Sequence, residues 1–165
     1  MRKFLCSAAA LAAFALASAA QAPAQAHEYK VGDLVIEHPW ARATARTAPT
    51  GAGYLEIRNT GAKADRLIGA TSEAAELTQI HEVKMDGGVM HMRELTEGLE
   101  IPPGGAVTLA PGGNHVMFIH LKAPFVAGAQ VNAILKFERA GDVPVALNVQ
   151  APRDKPEGHM TDKKH

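Results

Sequence analysis

The chain predicts an all-β sandwich or barrel in one domain, on three observations. Short runs of strand-forming residues recur from Val31 to Val149, Gly, Pro and Asn punctuate them, and no long stretch carries a 3.6-residue apolar period. In order, the strands are expected at 31–37, 52–59, 65–71, 77–84, 89–95, 105–110, 115–121, 130–138 and 144–150. The first run leads into His38-Pro39-Trp40-Ala41-Arg42, where Pro39 marks a strand end because it has no N–H for a ladder. Trp40, the single tryptophan, reads as a core or rim anchor, and His38 as structural. A Thr/Ala/Pro-rich loop follows at 44–51, and Ser72 to Glu76 is expected to form one helical turn. Asp86-Gly87 is a preferred two-residue hairpin turn joining 77–84 to 89–95. Pro102-Pro103-Gly104-Gly105 and Pro111-Gly112-Gly113-Asn114 are turn signals on either side of the short strand at 105–110.

Both ends differ from this middle. Arg2 and Lys3, the apolar run Ala8 to Ala20 and the small residues Ala24-Gln25-Ala26 read as an export signal over 1–26. No later run approaches the ~20 apolar residues of a spanning helix, so no membrane span is expected. Cleavage after Ala26 leaves 139 of 165 residues, with a β-sandwich domain over 27–151. Beyond Pro152 the composition shifts to Lys, Asp, Gly, Pro and His, and 152–165 is read as a flexible tail. Removing Arg2 and Lys3 leaves 15 basic against 17 acidic residues, which argues against nucleic acid as a partner. Cys6, the one cysteine, precedes the apolar run and is badly placed for lipid attachment. The mature chain therefore has no thiol and no disulfide, and its core must hold the fold alone.

The chemistry gathers around the methionines. With Asp86-Gly87 as the turn, Met85 pairs with Gly88, Val83 with Met90, and His81 with Met92, all on one face because strand side chains alternate. Glu82, Lys84, His91 and Arg93 take the other face, with Val89 the apolar exception. On a strand at 115–121, His115 and Met117 also share a face, just after a turn where an ion could enter and leave. Two imidazoles and two thioethers select Cu(I) over Zn, Mg or Ca, because neutral soft sulfur needs no deprotonation and, unlike a thiol, survives export. The missing cysteine excludes a blue-copper electron carrier. The bland alternative keeps the methionines as core fillers and His115 as a satisfied loop histidine.

These segments resemble the periplasmic copper chaperones of the PCu(A)C type. The likeness is carried by His38-Pro39-Trp40-Ala41-Arg42, by His81 to Arg93, and by Pro111 to Met117. The family pattern is a His, ten residues, a Met, about 21 residues, then His-x-Met. Here ten residues separate His81 from Met92, and 22 separate Met92 from His115, the extra one falling in a Gly/Pro-rich connection. The optional Met after the first His is Glu82 here. The resemblance implies a Greek-key cupredoxin-like fold and a primary Cu(I) site of His81, Met92, His115 and Met117, with Met90 and Met85 as auxiliary donors. It also implies transfer toward the dinuclear copper centre of cytochrome c oxidase, with the oxidase subunit II or a Sco-type thiol protein as partner. No turnover is implied.

The termini offer a second, harder site. After cleavage His27 becomes residue one, whose amine and imidazole can chelate Cu(II), and the tail adds His159, Met160 and His165. The alternative is a solvated tail beside a fortuitous terminal histidine. Two rival functions stay open: a copper oxidative enzyme built on a His27 brace, and a metal-free interaction module.

Overall fold

Residues 28–152 are described by the computed structural model. The expected leader 1–26 with Cys6, and the tail from 153 onward, lie outside the described residues. Within them every regular element is a strand: β1 Tyr29–Val31, β2 Leu34–Arg42, β3 Thr50–Asn59, β4 Asp65–Thr71, β5 Ala75–Asp86, β6 Val89–Glu94, β7 Leu99–Ile101, β8 Ala106–Leu109, β9 His115–Leu121, β10 Gln130–Phe137 and β11 Gly141–Gln150. No helix among them is long and apolar enough to cross a membrane.

The strands form one sheet in the order β6-β5-β9-β3-β2-β11-β10-β4-β7, with β1 beside β2 and β8 beside β3. It folds over itself because both halves have an apolar inner row to hide from water. Ile80, Val116, Phe118, Leu55 and Ile57 from one half meet Val131, Ala133, Leu135, Val145 and Leu147 from the other in one buried cluster. The all-β, cupredoxin-like reading holds, and the connections β3 to β4 and β9 to β10 carry the chain between the halves as in a Greek key.

Several local expectations are corrected. The first run splits at Gly32-Asp33, where Gly32 takes φ 57, so β1 folds back on β2. Pro39 does not end its strand: β2 continues to Arg42 through a bulge between Glu37 and Trp40, with exposed His38 at φ 51. A bulge tolerates a residue without an N–H, and the bend lets Leu34–Glu37 pair with β3 while Trp40–Arg42 also pair in parallel with β11. Ser72 to Glu76 forms a turn leading directly into β5, not a helical turn, with the Ser72 hydroxyl accepting the Ala74 N–H at 3.2 Å. Such a side-chain-to-backbone bond competes with helix formation. The unforeseen strand β7 is only three residues long. Buried Asn59 anchors it, its amide donating to the Ile101 and Lys63 carbonyls at 3.2 and 2.8 Å.

Candidate metal centre

The β5–β6 hairpin sets half of the site. Its two-residue loop is Gly87-Gly88, with φ 57 and 82, not Asp86-Gly87. Both loop positions require positive φ, and glycine adopts it without the steric cost that Asp86 would carry. Asp86 therefore pairs with Val89, Met85 with Met90, Val83 with Met92, and His81 with Glu94. His81 thus does not lie directly across from Met92, as expected, but one diagonal step away. The slip amounts to two residues, an even number, so every side chain keeps its expected face. Glu82 accordingly meets Arg93 at 3.0 Å and Lys84 at 3.2 Å on the polar face.

Strand β9 supplies the other half. It lies antiparallel beside β5, with His81 opposite His115 and Gln79 opposite Met117. Four residues in two adjacent rows thus share one face, the two imidazoles having ring centroids 5.8 Å apart. On the opposite face Ile80, Val116 and Phe118 enter the core, which fixes the orientation of both strands. Met117 also lies opposite Ala52 of β3, so a small side chain leaves space above the thioether.

Hydrogen bonds decide which nitrogens are free. His115 is 5% exposed, and its Nδ1 sits 3.1 Å from the Gly113 carbonyl oxygen, which can only accept. The proton is therefore on Nδ1, and Nε2 carries the lone pair. His81 Nε2 lies 3.0 Å from Gln79 Oε1, while its Nδ1 is buried without a partner. A buried imidazole nitrogen with no proton donor nearby suits a metal ion better than it suits an empty protein.

A groove of about 390 Å³ runs over this face, lined by His115, Met117, Met92, Met90, Val83 and Tyr54 among others. It brings together three of the four primary candidates and one auxiliary, with His81 alongside through its contact with His115. Met85 lies farther out near the hairpin tip, 65% exposed and paired with Met90. His27, His159, Met160 and His165 lie outside the described residues. One neighbour carries no sequence signal for a role here: Tyr54, 6.5 Å from His115 between ring centroids. Trp40, from a segment that carries the family likeness, lies against Tyr54 with centroids 4.5 Å apart and rings tilted by 38°. Half-buried Trp40 is thus a rim anchor rather than core. Among the described residues no group of three or more His, Cys, Asp or Glu could hold a metal ion, and the candidate donors on this face are imidazoles plus thioethers.

Burial, then the nearby His115, push the His81 imidazole below its ordinary range, and the Glu94 carboxylate partly opposes them. Protons bind the unfolded His81 more readily than the folded one, so its contribution to stability is complete above its unfolded pKa, about 6.5. It is lost as the pH falls through the lower folded value. The melting temperature of the metal-free protein should therefore drop as pH is lowered below that point, and less steeply for His81→Gln. Equal slopes for the two proteins would refute this assignment.

Comparison with known proteins is consistent with this geometry. Residues 34–149 match the family model described as "Putative lipoprotein LpqE-like". "Putative lipoprotein Lxx21020" of Leifsonia xyli subsp. xyli is 34% identical over 129 residues, which cover 78% of this chain and 76% of that protein. Among solved structures, the copper-bound PCuAC domain from PmoF2 is 33% identical, with TM-score 0.65 over 76% of this chain and 99% of that one. The apo PCuAC domain from PmoF1 is 32% identical, with TM-score 0.65 over 76% and 100%. The CuI-DR1885 solution structure from Deinococcus radiodurans is 27% identical, with TM-score 0.58 over 76% and 81%.

Proposed function

The chain belongs to the LpqE-like family and is built as a PCuAC domain, and from that premise we propose that it is an exported carrier of Cu(I). His81, Met92, His115 and Met117 hold the ion, with Met90 in reserve. The observation that carries this reading is the pairing of His81 with His115, each with one nitrogen tied to an oxygen and the other free, beside a thioether-lined groove. Copper-bound and CuI forms of similar domains support the choice of metal.

The donors differ in access, and this suits handover. His115 is 5% exposed and sits on a strand paired on both sides, whereas Met92 and Met90 are 53% and 63% exposed on edge strand β6. An acceptor reaches the β6 thioethers first and displaces them one at a time, while the imidazoles retain the ion until the last exchange. Neutral thioethers leave without taking up a proton. The protein is a carrier rather than a catalyst. Its acceptor is the dinuclear copper centre of cytochrome c oxidase, in subunit II, or a Sco-type thiol protein, and its compartment is the periplasm. The relative's name, a lipoprotein, fits export. His27 and the tail residues His159, Met160 and His165 form a separate Cu(II) site under this reading.

The test is competitive Cu(I) titration of the mature protein against a chromogenic chelator. One tightly held equivalent is expected, and it should survive His27→Ala. Failure to compete with the chelator overturns the carrier reading, while loss of binding with His27→Ala shifts the site to the amino terminus and favours a histidine brace.

A further inference from the structure

On the shared face of β5 and β9, three corners of a two-by-two cell are candidate ligands: His81, His115 and Met117. The fourth is Gln79, directly opposite Met117 and two residues before His81 on the same strand. Alternation along β5 points its side chain the same way as His81, and its Oε1 lies 3.0 Å from His81 Nε2.

The orientation of this amide follows from proton accounting. Were Gln79 to donate its N–H to Nε2, the neutral imidazole would carry its proton on Nδ1, which is buried and has no acceptor. A buried unsatisfied donor costs about 1–3 kcal/mol. With Gln79 accepting instead, the proton sits on Nε2 and the buried Nδ1 keeps only a lone pair. His115 is arranged the other way, its proton on Nδ1 held by the Gly113 carbonyl.

We infer that Gln79 is a positioning residue: by accepting the Nε2 proton it fixes the ring orientation and tautomer of His81, so that Nδ1 faces the ion, while His115 presents Nε2. The inference rests on the carrier reading and adds a residue that touches a ligand but not the ion. Metal-bound histidines commonly donate their second N–H to such an oxygen, and removing that oxygen typically costs about 10–100-fold in metal affinity. The half-exposed position of Gln79 on the outer face means its replacement does not open the core.

Two measurements test it. Imidazole nitrogen–proton correlation spectra of the metal-free wild type should show His81 as a single Nε2–H tautomer with a protected proton. That protection should vanish in Gln79→Leu and persist in Gln79→Glu, which keeps the acceptor. Competitive titration should show Cu(I) affinity lower by about 10–100-fold in Gln79→Leu and retained in Gln79→Glu. An Nδ1–H tautomer in the wild type, wild-type affinity in Gln79→Leu, or equal weakness in both variants overturns the positioning role alone. Absence of Cu(I) binding by the wild type removes the carrier reading and this role with it.

Discussion

Met92→Ala is expected to weaken Cu(I) binding by about a hundredfold, equivalent to about 2.7 kcal/mol, while changing folding stability by no more than about 0.5 kcal/mol. The two effects separate because Met92 is 53% exposed on β6, the edge strand of the sheet, with little packing to lose. Its thioether lines the groove beside His115 and Met117, so under the carrier reading its value lies in coordination. Met117→Ala should cost similar affinity and somewhat more stability, since that side chain is half-buried between β3 and β5. If the methionines were packing residues of a metal-free module, the pattern would invert: stability would fall and no affinity would change. Titration against the chelator and urea unfolding, run on the same two variants, separate the alternatives. A Met92→Ala protein that competes for Cu(I) as well as the wild type would remove the thioether from the site.

The sandwich was legible because its strands obey a period of two. Val131, Ala133, Leu135 and Phe137 alternate with exposed Gln130, Asn132 and Ile134, and all nine expected runs correspond to strands. Leu99–Ile101 was not legible, since three residues cannot display a period and its anchor, Asn59, lies 42 residues from Ile101. Pro39 misled because its local preference for a strand end is equally met by a bulge, and only tertiary pairing with β11 distinguishes the two.

Site geometry divides along the same line. His115 and Met117 share a face by adjacency alone. The faces of β5 and β6 were also readable, because sorting polar from apolar residues fixes parity, but the true register depended on which two residues of Asp86-Gly87-Gly88 take positive φ. The contact of His81 with His115 spans β5 and β9, strands distant in sequence, and no local pattern announces it. Before the strands are placed, only the shared ligand chemistry and the family resemblance join those two histidines. Gln79 carried no signal at all, since a polar residue on a strand reads as solvent-facing until the strand beside it is known.

Phe118→Ala should do the opposite of Met92→Ala. Phe118 is fully buried on the inner face of β9, its ring edge-on to Phe125 with centroids 5.2 Å apart at 82°. Gly53 lets the β3 backbone approach this ring, for a Cβ there would meet Phe118 Cε2 at 3.1 Å and Leu147 at 2.6 Å. Truncation leaves a cavity that this tightly built neighbourhood cannot fill, at an expected cost of about 3–5 kcal/mol and a fall in Tm of about 10–20 °C. Met117, the adjacent residue, points to the other side, and the β3–β9 and β5–β9 ladders are backbone bonds that the variant keeps. The folded fraction should therefore bind Cu(I) as the wild type does, and free Cu(I) at a hundred times Kd should restore about 2.7 kcal/mol through linkage. Affinity that fell together with stability, to the level of Met117→Ala, would mean that the inner packing of β9 sets the ligand geometry, and that the two faces of this strand do not act independently.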